Sequence, residues 1–355
     1  MLTDCKTLIS EGAYGKVFSV SSKYAVKVET DKGKRKRRLR EEARIMKLVQ
    51  GPGIPRIIHH STIDGRDRLK MELLGPDMRK IRKSHGGGLG FRSTIMFGIQ
   101  ALERLEHIHS KGIIHRDIKD SNFVIGKNDP TKIYLIDFGL SVRLERYNSK
   151  NSNYCTVDGF AGNLLFTGKE SHIYKNRVSK KNDLESLLYL MIYLYKSKVN
   201  KRKISKSQSF KRIPALPWDR KFEDDENLHK KIYRLKDEFK PQMLGKKFPT
   251  EFKEFMKYVQ ELKFDMEPKM NYCQQLLKRC LNRRNFNLDY TKFDWLKKVY
   301  LIDSKSNNAI TLYSGNSRSI STKKRDNKCL HKRNIKDRLR GKLDQKDLEY
   351  LKIIK

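Results

Sequence analysis

Along the first thirty residues, apolar and polar positions change over in short runs: Thr7-Leu8-Ile9, Lys16-Val17-Phe18-Ser19-Val20, and Tyr24 to Glu29. A glycine-containing stretch, Ser10-Glu11-Gly12-Ala13-Tyr14-Gly15, separates the first two. Such runs predict strands joined by a tight turn. The period changes over Glu41 to Val49, where Ala43, Ile45, Met46, Leu48 and Val49 suit a helix. Gly51-Pro52-Gly53-Ile54-Pro55 stops that helix, further strand-like segments lead to Leu74, and Gly75-Pro76 ends them. Residues 1–74 are thus expected to form a small β-rich lobe. Beyond it, Ile95, Ile99, Leu102, Leu105 and Ile108 keep helical spacing over 91–111, and 184–195 predicts an apolar helix capped by Asn182 or Asp183. Segments 224–239, 250–263 and 270–281 also read as helices, so residues 75–300 are expected to be mainly α and the class α+β. Residues 301–355 read as a flexible basic extension in which 336–354 is a candidate short helix, and no internal repeat is visible.

Charge adds a partner class. With 79 Lys+Arg against 41 Asp+Glu the chain carries +38 over 355 residues, and should favour polyanions. The extension holds 15 Lys/Arg and 6 Asp/Glu, so +29 of the charge lies on residues 1–300. Nucleic-acid binding is one reading of that excess, although no aromatic and basic interleaving of a known RNA-binding pattern accompanies it. The longest apolar stretch, Leu187 to Tyr195, is far below the roughly 20 residues a membrane-spanning helix needs, so a buried helix and no membrane contact are expected. Neither end resembles a secretion leader or a lipidation box, which leads to the expectation of an intracellular monomer, in cytoplasm or nucleus. Cys5, Cys155, Cys273, Cys280 and Cys329 are odd in number and scattered, which predicts free thiols.

Three motifs then occur in order. Gly12-x-x-Gly15-x-Val17 precedes Ala25-Val26-Lys27; His115-Arg116-Asp117-Ile118-Lys119-Asp120-Ser121-Asn122 follows; Asp137-Phe138-Gly139 closes the set. This is the protein-kinase signature, and it implies a two-lobed protein-kinase fold using ATP and Mg2+. Phosphoryl transfer requires positioning and charge neutralisation more than covalent help. Ile9, Ser10, Gly12, Gly15 and Val17 are expected against the nucleotide, the glycines because a Cβ would keep the backbone off the phosphates. Lys27 should hold phosphates and pair with a helix carboxylate, Glu42 first and Glu41 next to it. Asp137 and Asn122 are the expected metal ligands, Asp117 the group that orients the substrate hydroxyl, and Lys119 the neutraliser of the moving phosphoryl group.

Further residues resemble one branch, the casein kinase 1 family: Gln50 to Pro55 (QGPGIP), Met71 to Pro76 (MELLGP), HRDIKDSNF at 115–123, Ile136 to Leu140 (IDFGL), Asn182 to Ser186 (NDLES), Leu216-Pro217-Trp218, Phe248 to Phe252, and Phe293-Asp294-Trp295. The resemblance covers roughly residues 5–297. It implies serine/threonine specificity, acidic protein substrates, Met71 at the depth of the adenine pocket, Leu74 backbone as a hinge contact, and Asp183 bracing the H-R-D backbone. It also accounts for the missing Ala-Pro-Glu after D-F-G. This chain departs from the family in carrying Ser10 for a glycine, Asp120-Ser121 for Pro-Asp, and Gly162-Asn163 for Gly-Thr. Val142, Asp158 and Leu165 stand where basic residues form an anion pocket. A pseudokinase scaffold is the alternative reading, opposed by the presence of Lys27, Glu42, Asp117, Asn122 and Asp137.

The remaining signals have ordinary explanations beside sharper ones. His107, His109 and His115 invite a metal reading, but spacing alone does not supply facing ligands. Cys273 and Cys280 share a helix face, as core thiols would. Lys34 to Arg38 is a nuclear-import signal, a polyanion contact or a solvated loop. Lys180-Lys181 either holds an acidic substrate side chain or faces solvent, and Lys198 to Arg212 reads as an exposed insertion.

Overall fold

The computed structural model describes residues 7–12, 15–30, 38–144, 154–196, 214–220, 222, 227–302 and 310–314. The candidate import signal before Arg38, the insertion at 198–212, the candidate helix at 336–354, and Cys5 and Cys329 lie outside them.

The N-terminal part is an antiparallel sheet of β1 (Thr7–Glu11), β2 (Gly15–Ser19), β3 (Tyr24–Glu29), β4 (Ile57–Ile63) and β5 (Arg66–Glu72), in the order β1-β2-β3-β5-β4. Asp64 and Gly65, both at positive φ, turn β4 into β5 in the two-residue manner that matches strand twist. Period-two alternation sorts β3: Val26 and Val28 join Phe18 and Val20 in a small cluster on one face, and Ala25 and Lys27 point to the other. Helix α1 (Arg38–Leu48) covers that second face, burying Leu39, Ala43 and Met46 against Leu69. This alternation is what turns Lys27 toward α1.

After Leu73–Asp77 the chain is mainly helical, as expected of a protein-kinase fold: α2 (Met78–Ser84), α3 (Phe91–Ser110), α4 (Lys180–Lys196), α5 (Leu228–Glu238), α6 (Thr250–Glu261) and α7 (Met270–Asn282). Short strands β6 (Ile113–Ile114), β7 (Phe123–Ile125), β8 (Ile133–Leu135) and β9 (Val142–Arg143) frame the loops between α3 and the next segment. They pair β6 with β9 and β7 with β8. A further pair joins β10 (Tyr154–Thr156) to β11 (Arg177–Ser179). Helix α4 is apolar all round because it is enclosed all round; Leu184, Leu187, Leu188, Tyr189, Leu190, Met191, Ile192 and Leu194 are fully buried. Gly98 of α3 allows the close approach, since a Cβ there would lie 2.2 Å from Met191 Cε.

Several expectations need adjustment. Helix α4 starts at Lys180, so Asn182 and Asp183 lie inside its first turn and do not cap it. Asn182 Oδ1 instead accepts from the Ser179 N–H at 2.8 Å. The short helix α2 was not visible in the hydrophobic spacing. Strands β12 (Lys298–Ile302) and β13 (Ile310–Ser314) pair where an irregular extension was expected to begin. No described helix is long and apolar enough to cross a membrane.

Candidate active site

Lys27 is the centre of the site. Its Nζ lies 2.8 Å and 2.7 Å from the two oxygens of Glu42 and 2.8 Å from Asp137 Oδ1, joining β3, α1 and the D-F-G segment. The register of α1 settles which glutamate does this: Glu42 is buried toward the sheet, whereas Glu41 is half-buried and pairs with Arg44. Burial alone would push the Lys27 ammonium toward neutrality, but the two carboxylates outweigh it and raise its pKa. The same lysine pulls the Asp137 carboxyl down to about 2, against the opposing effect of burial.

The H-R-D loop is held from below. Buried Asp183 of α4 accepts the His115 N–H at 2.8 Å, the Arg116 N–H at 2.9 Å and His109 Nε2 at 2.9 Å. Those bonds secure Arg116 at φ 69, a conformation that costs a non-glycine residue about 1–3 kcal/mol. Burial keeps His115 neutral, so its Nε2–H donates to Ile136 O at 3.1 Å while Nδ1 accepts the Asp117 N–H at 3.3 Å. Its ring also meets Phe138 edge-on with centroids 5.0 Å apart. One neutral imidazole therefore ties the H-R-D loop to the D-F-G segment.

Asp117 Oδ2 takes two donors, Lys119 Nζ at 2.5 Å and Asn122 Nδ2 at 3.0 Å, and Asn122 Nδ2 also donates to the Asp117 carbonyl at 2.8 Å. The amide orientation this fixes turns Asn122 Oδ1 away from Asp117. Asp120, which departs from the family proline, anchors α2: Arg79 Nε donates to it at 3.0 Å and Arg82 Nε lies 3.6 Å away. Arg79 also donates to Ser121 Oγ at 3.3 Å. This substitution thus has a structural partner that sequence spacing did not reveal.

Around the expected nucleotide site, Gly12 N–H donates to Gly15 O at 2.9 Å and closes the β1–β2 turn. A Cβ on Gly15 would lie 2.7 Å from Val28 O, so this glycine is required by the neighbouring strand as well as by any phosphate. Ser10 pairs with Val17 across β1 and β2, just after an irregularity at Ile9, whose side chain is exposed. Met71 lies on β5 beside Ala25 and packs on the main core. The Leu73 and Gly75 N–H groups are taken by Lys23 O at 2.8 Å and Ile125 O at 2.9 Å, whereas Leu74 makes no backbone hydrogen bond among the described residues.

Three side readings resolve against a separate site. His107 donates or accepts at Val49 O, 2.8 Å away, so the three histidines serve different partners and do not converge on a metal. Cys273 and Cys280 are buried free thiols pushed up to about 12 by burial, which suits core packing. Lys180 and Lys181 neither face solvent nor offer open charges to substrate. Both are buried; Lys180 Nζ contacts Glu267 at 2.6 Å and 2.8 Å, and Lys181 Nζ contacts Glu170 Oε1 at 2.6 Å.

Asp183→Ala is expected to cost about 3–5 kcal/mol of stability, because it strands buried donors that now share one carboxylate. Burial pushes the Asp183 pKa up, but the hydrogen bonds it accepts from His109 and from the His115 backbone N–H bring it below its ordinary value. Its contribution is therefore present above about pH 4, the unfolded carboxyl range, and is lost as pH falls through the depressed folded value. Urea midpoints of the two proteins across pH 7 to 3 measure this; a gap that fails to narrow in acid would contradict it.

A family model described as the protein kinase domain matches residues 4–287. A curated protein of Dictyostelium discoideum described as a probable serine/threonine-protein kinase is 30% identical over 297 residues, which covers 81% of this chain and 55% of that protein. The chain thus spans about half the length of that curated relative.

Proposed function

The chain belongs to the protein kinase family, and from that premise we propose that it is an active ATP- and Mg2+-dependent serine/threonine kinase of the casein kinase 1 type acting on acidic proteins. The observation that carries the reading is the assembled contact set at Lys27, bonded at once to Glu42 and Asp137. A half-buried lysine held between two carboxylates suits a site that grips phosphates and is not required of a scaffold.

The residues suit the groups they would receive. Asp137 is a side-chain carboxylate ionised at any working pH, and Asn122 presents an amide oxygen, which together make the hard oxygen donors Mg2+ prefers. The free Leu74 peptide offers a donor and an acceptor to an adenine edge, Met71 borders that space, and Ile9, Ser10, Gly12, Gly15 and Val17 line the approach to the phosphates. Bound Mg2+ supplies charge neutralisation to the phosphates. Lys27 holds the phosphates, and Asp117, with Oδ2 occupied by Lys119 and Asn122, keeps Oδ1 to orient the target hydroxyl and accept its proton. Lys119, next to that carboxylate, offsets charge on the group in transit.

Incubation with labelled ATP, Mg2+ and an acidic protein tests the proposal. Label on serine or threonine supports it; bound nucleotide without transfer would favour the pseudokinase scaffold, and salt-sensitive retention on DNA or RNA without turnover would favour a nucleic-acid-binding protein.

Substrate choice follows from the departures. Val142 packs with Ile114 and Cys155, Leu165 is half-buried and Asp158 is exposed, so none supplies a cation for a phosphate, and Lys180 and Lys181 are occupied by Glu267 and Glu170. Aspartate three residues before the target hydroxyl is expected to serve nearly as well as phosphoserine, with kcat/KM on both falling as salt rises. Peptides differing only in Ser, Asp or phosphoserine at that position measure it. An intact anion pocket would instead favour the phosphopeptide by about 1–3 kcal/mol, roughly 5- to 150-fold.

A further inference from the structure

Lys236 of α5 is a fully buried lysine whose ammonium serves backbone carbonyls. Nζ donates to Leu164 O at 3.0 Å, to Thr167 O, and to His172 Nε2 at 3.0 Å. Its nitrogen stands 5.3 Å from the centroids of both Tyr189 and Trp218. Burial pushes the His172 pKa down to about 2, so Nε2 keeps its lone pair, and the Nδ1–H points to His229 Nδ1 at 3.1 Å. Burial lowers the Lys236 pKa to about 7, and its protonated Nζ has one N–H for each of these three acceptors.

Trp218 adds a fourth tie, donating from Nε1 to Leu165 O at 2.7 Å. The carbonyls of residues 164, 165 and 167 are therefore gripped by two side chains 50 or more residues away in sequence, neither of which touches the catalytic loop. The gripped segment does touch it. Gly162, at φ 108, leaves room where a Cβ would lie 2.6 Å from Arg116 O, and Arg116 immediately precedes Asp117. Asn163 Oδ1 accepts the Leu165 N–H at 2.8 Å and tightens the same turn. Residues 162–167 therefore pack, through Gly162, on the backbone that leads into Asp117. A buried methionine would fill the space of Lys236 without desolvating a charge, so packing alone does not account for a lysine there.

We propose that Lys236, assisted by Trp218, is a positioning residue for the protein substrate: it fixes the backbone of Leu164–Thr167 so that a peptide lying along this segment presents its hydroxyl to Asp117. The proposal rests on the kinase reading and deepens it. Neither residue touches nucleotide or the reacting atoms, so the loss should fall on the peptide and not on ATP.

Steady-state kinetics with an acidic serine peptide test it, alongside thermal unfolding. Lys236→Met should raise the peptide KM about 10- to 100-fold while the ATP KM moves by less than about twofold, and Lys236→Arg, which restores charge and donors, should lie closer to wild type. Trp218→Phe keeps an aromatic ring for the edge-to-face contacts with Tyr189 and Phe239, removes a single donor, and should raise the peptide KM about 3- to 10-fold. An unchanged peptide KM in folded Lys236→Met, or equal changes in both KM values, would overturn the proposal. Should Lys236→Met not fold, an unchanged peptide KM in Trp218→Phe would overturn it instead. If wild type phosphorylates no peptide, the kinase reading itself fails, and that result is distinct from a wild type that works and variants that behave like it.

Discussion

Asp117→Asn should lower phosphate transfer to an acidic peptide by about 10²- to 10⁴-fold, the range contributed by a positioned acid–base group, while nucleotide affinity stays near wild type. The shape of the side chain survives, since asparagine fits the same space beside Lys119 and Asn122. What disappears is a carboxylate able to take a proton, together with its pairing to the Lys119 ammonium. No contact of Asp117 reaches Lys27 or the Leu74 peptide, where the nucleotide is expected to be held. Turnover number and nucleotide binding, measured on the same preparation, separate the two effects. Wild-type turnover in the variant would remove Asp117 from the chemistry.

Asp137→Asn should be as damaging to turnover but should act through binding, lowering kcat/KM by at least about 100-fold and weakening nucleotide affinity only when Mg2+ is present. The substitution removes both the proposed metal-facing carboxylate and the 2.8 Å contact that completes the Lys27 triangle. Lys27 holds the Asp137 carboxyl down to about 2, so the group remains ionised as pH falls toward 4. Magnesium-dependent nucleotide binding of the wild type is accordingly expected to be flat from about pH 7 to 4 with respect to this residue, because its carboxyl titrates below that window in the folded protein. Titrations with and without Mg2+ measure the difference. Equal weakening under both conditions would point to the Lys27 ion pair alone.

How much was legible before the fold was known varied with the range of the interaction. Strands β2 and β3 and helices α3, α6 and α7 follow from local periodicity, and the candidate catalytic residues from motifs whose spacing is itself local. Glu42 and Glu41 were adjacent candidates because sequence alone does not fix the rotation of α1; burial of Leu39, Ala43 and Met46 does. Asp183 looked like a helix cap as readily as a brace, since both uses put an aspartate at a helix start, and only the approach of the catalytic loop distinguishes them. Lys180 and Lys181 read as available charge because their partners, Glu267 and Glu170, are far off in sequence or on a separate turn. Lys236 gave no signal at all. It sits in a basic, amphipathic segment where a lysine is ordinary, and its acceptors are carbonyls, which every residue has.

The Lys27–Glu42–Asp137 triangle and the Asp117 cluster are expected to transfer a phosphate together. The most direct measurement mixes the full chain with ATP, Mg2+ and a serine peptide carrying upstream aspartates, then follows ADP formation and peptide mass together. Many phosphoserines per protein molecule are expected, one ADP for each, with both signals lost on chelating Mg2+. Tight nucleotide binding with an unchanged peptide mass and no ADP, across acidic peptides with serine and threonine targets, would contradict that expectation.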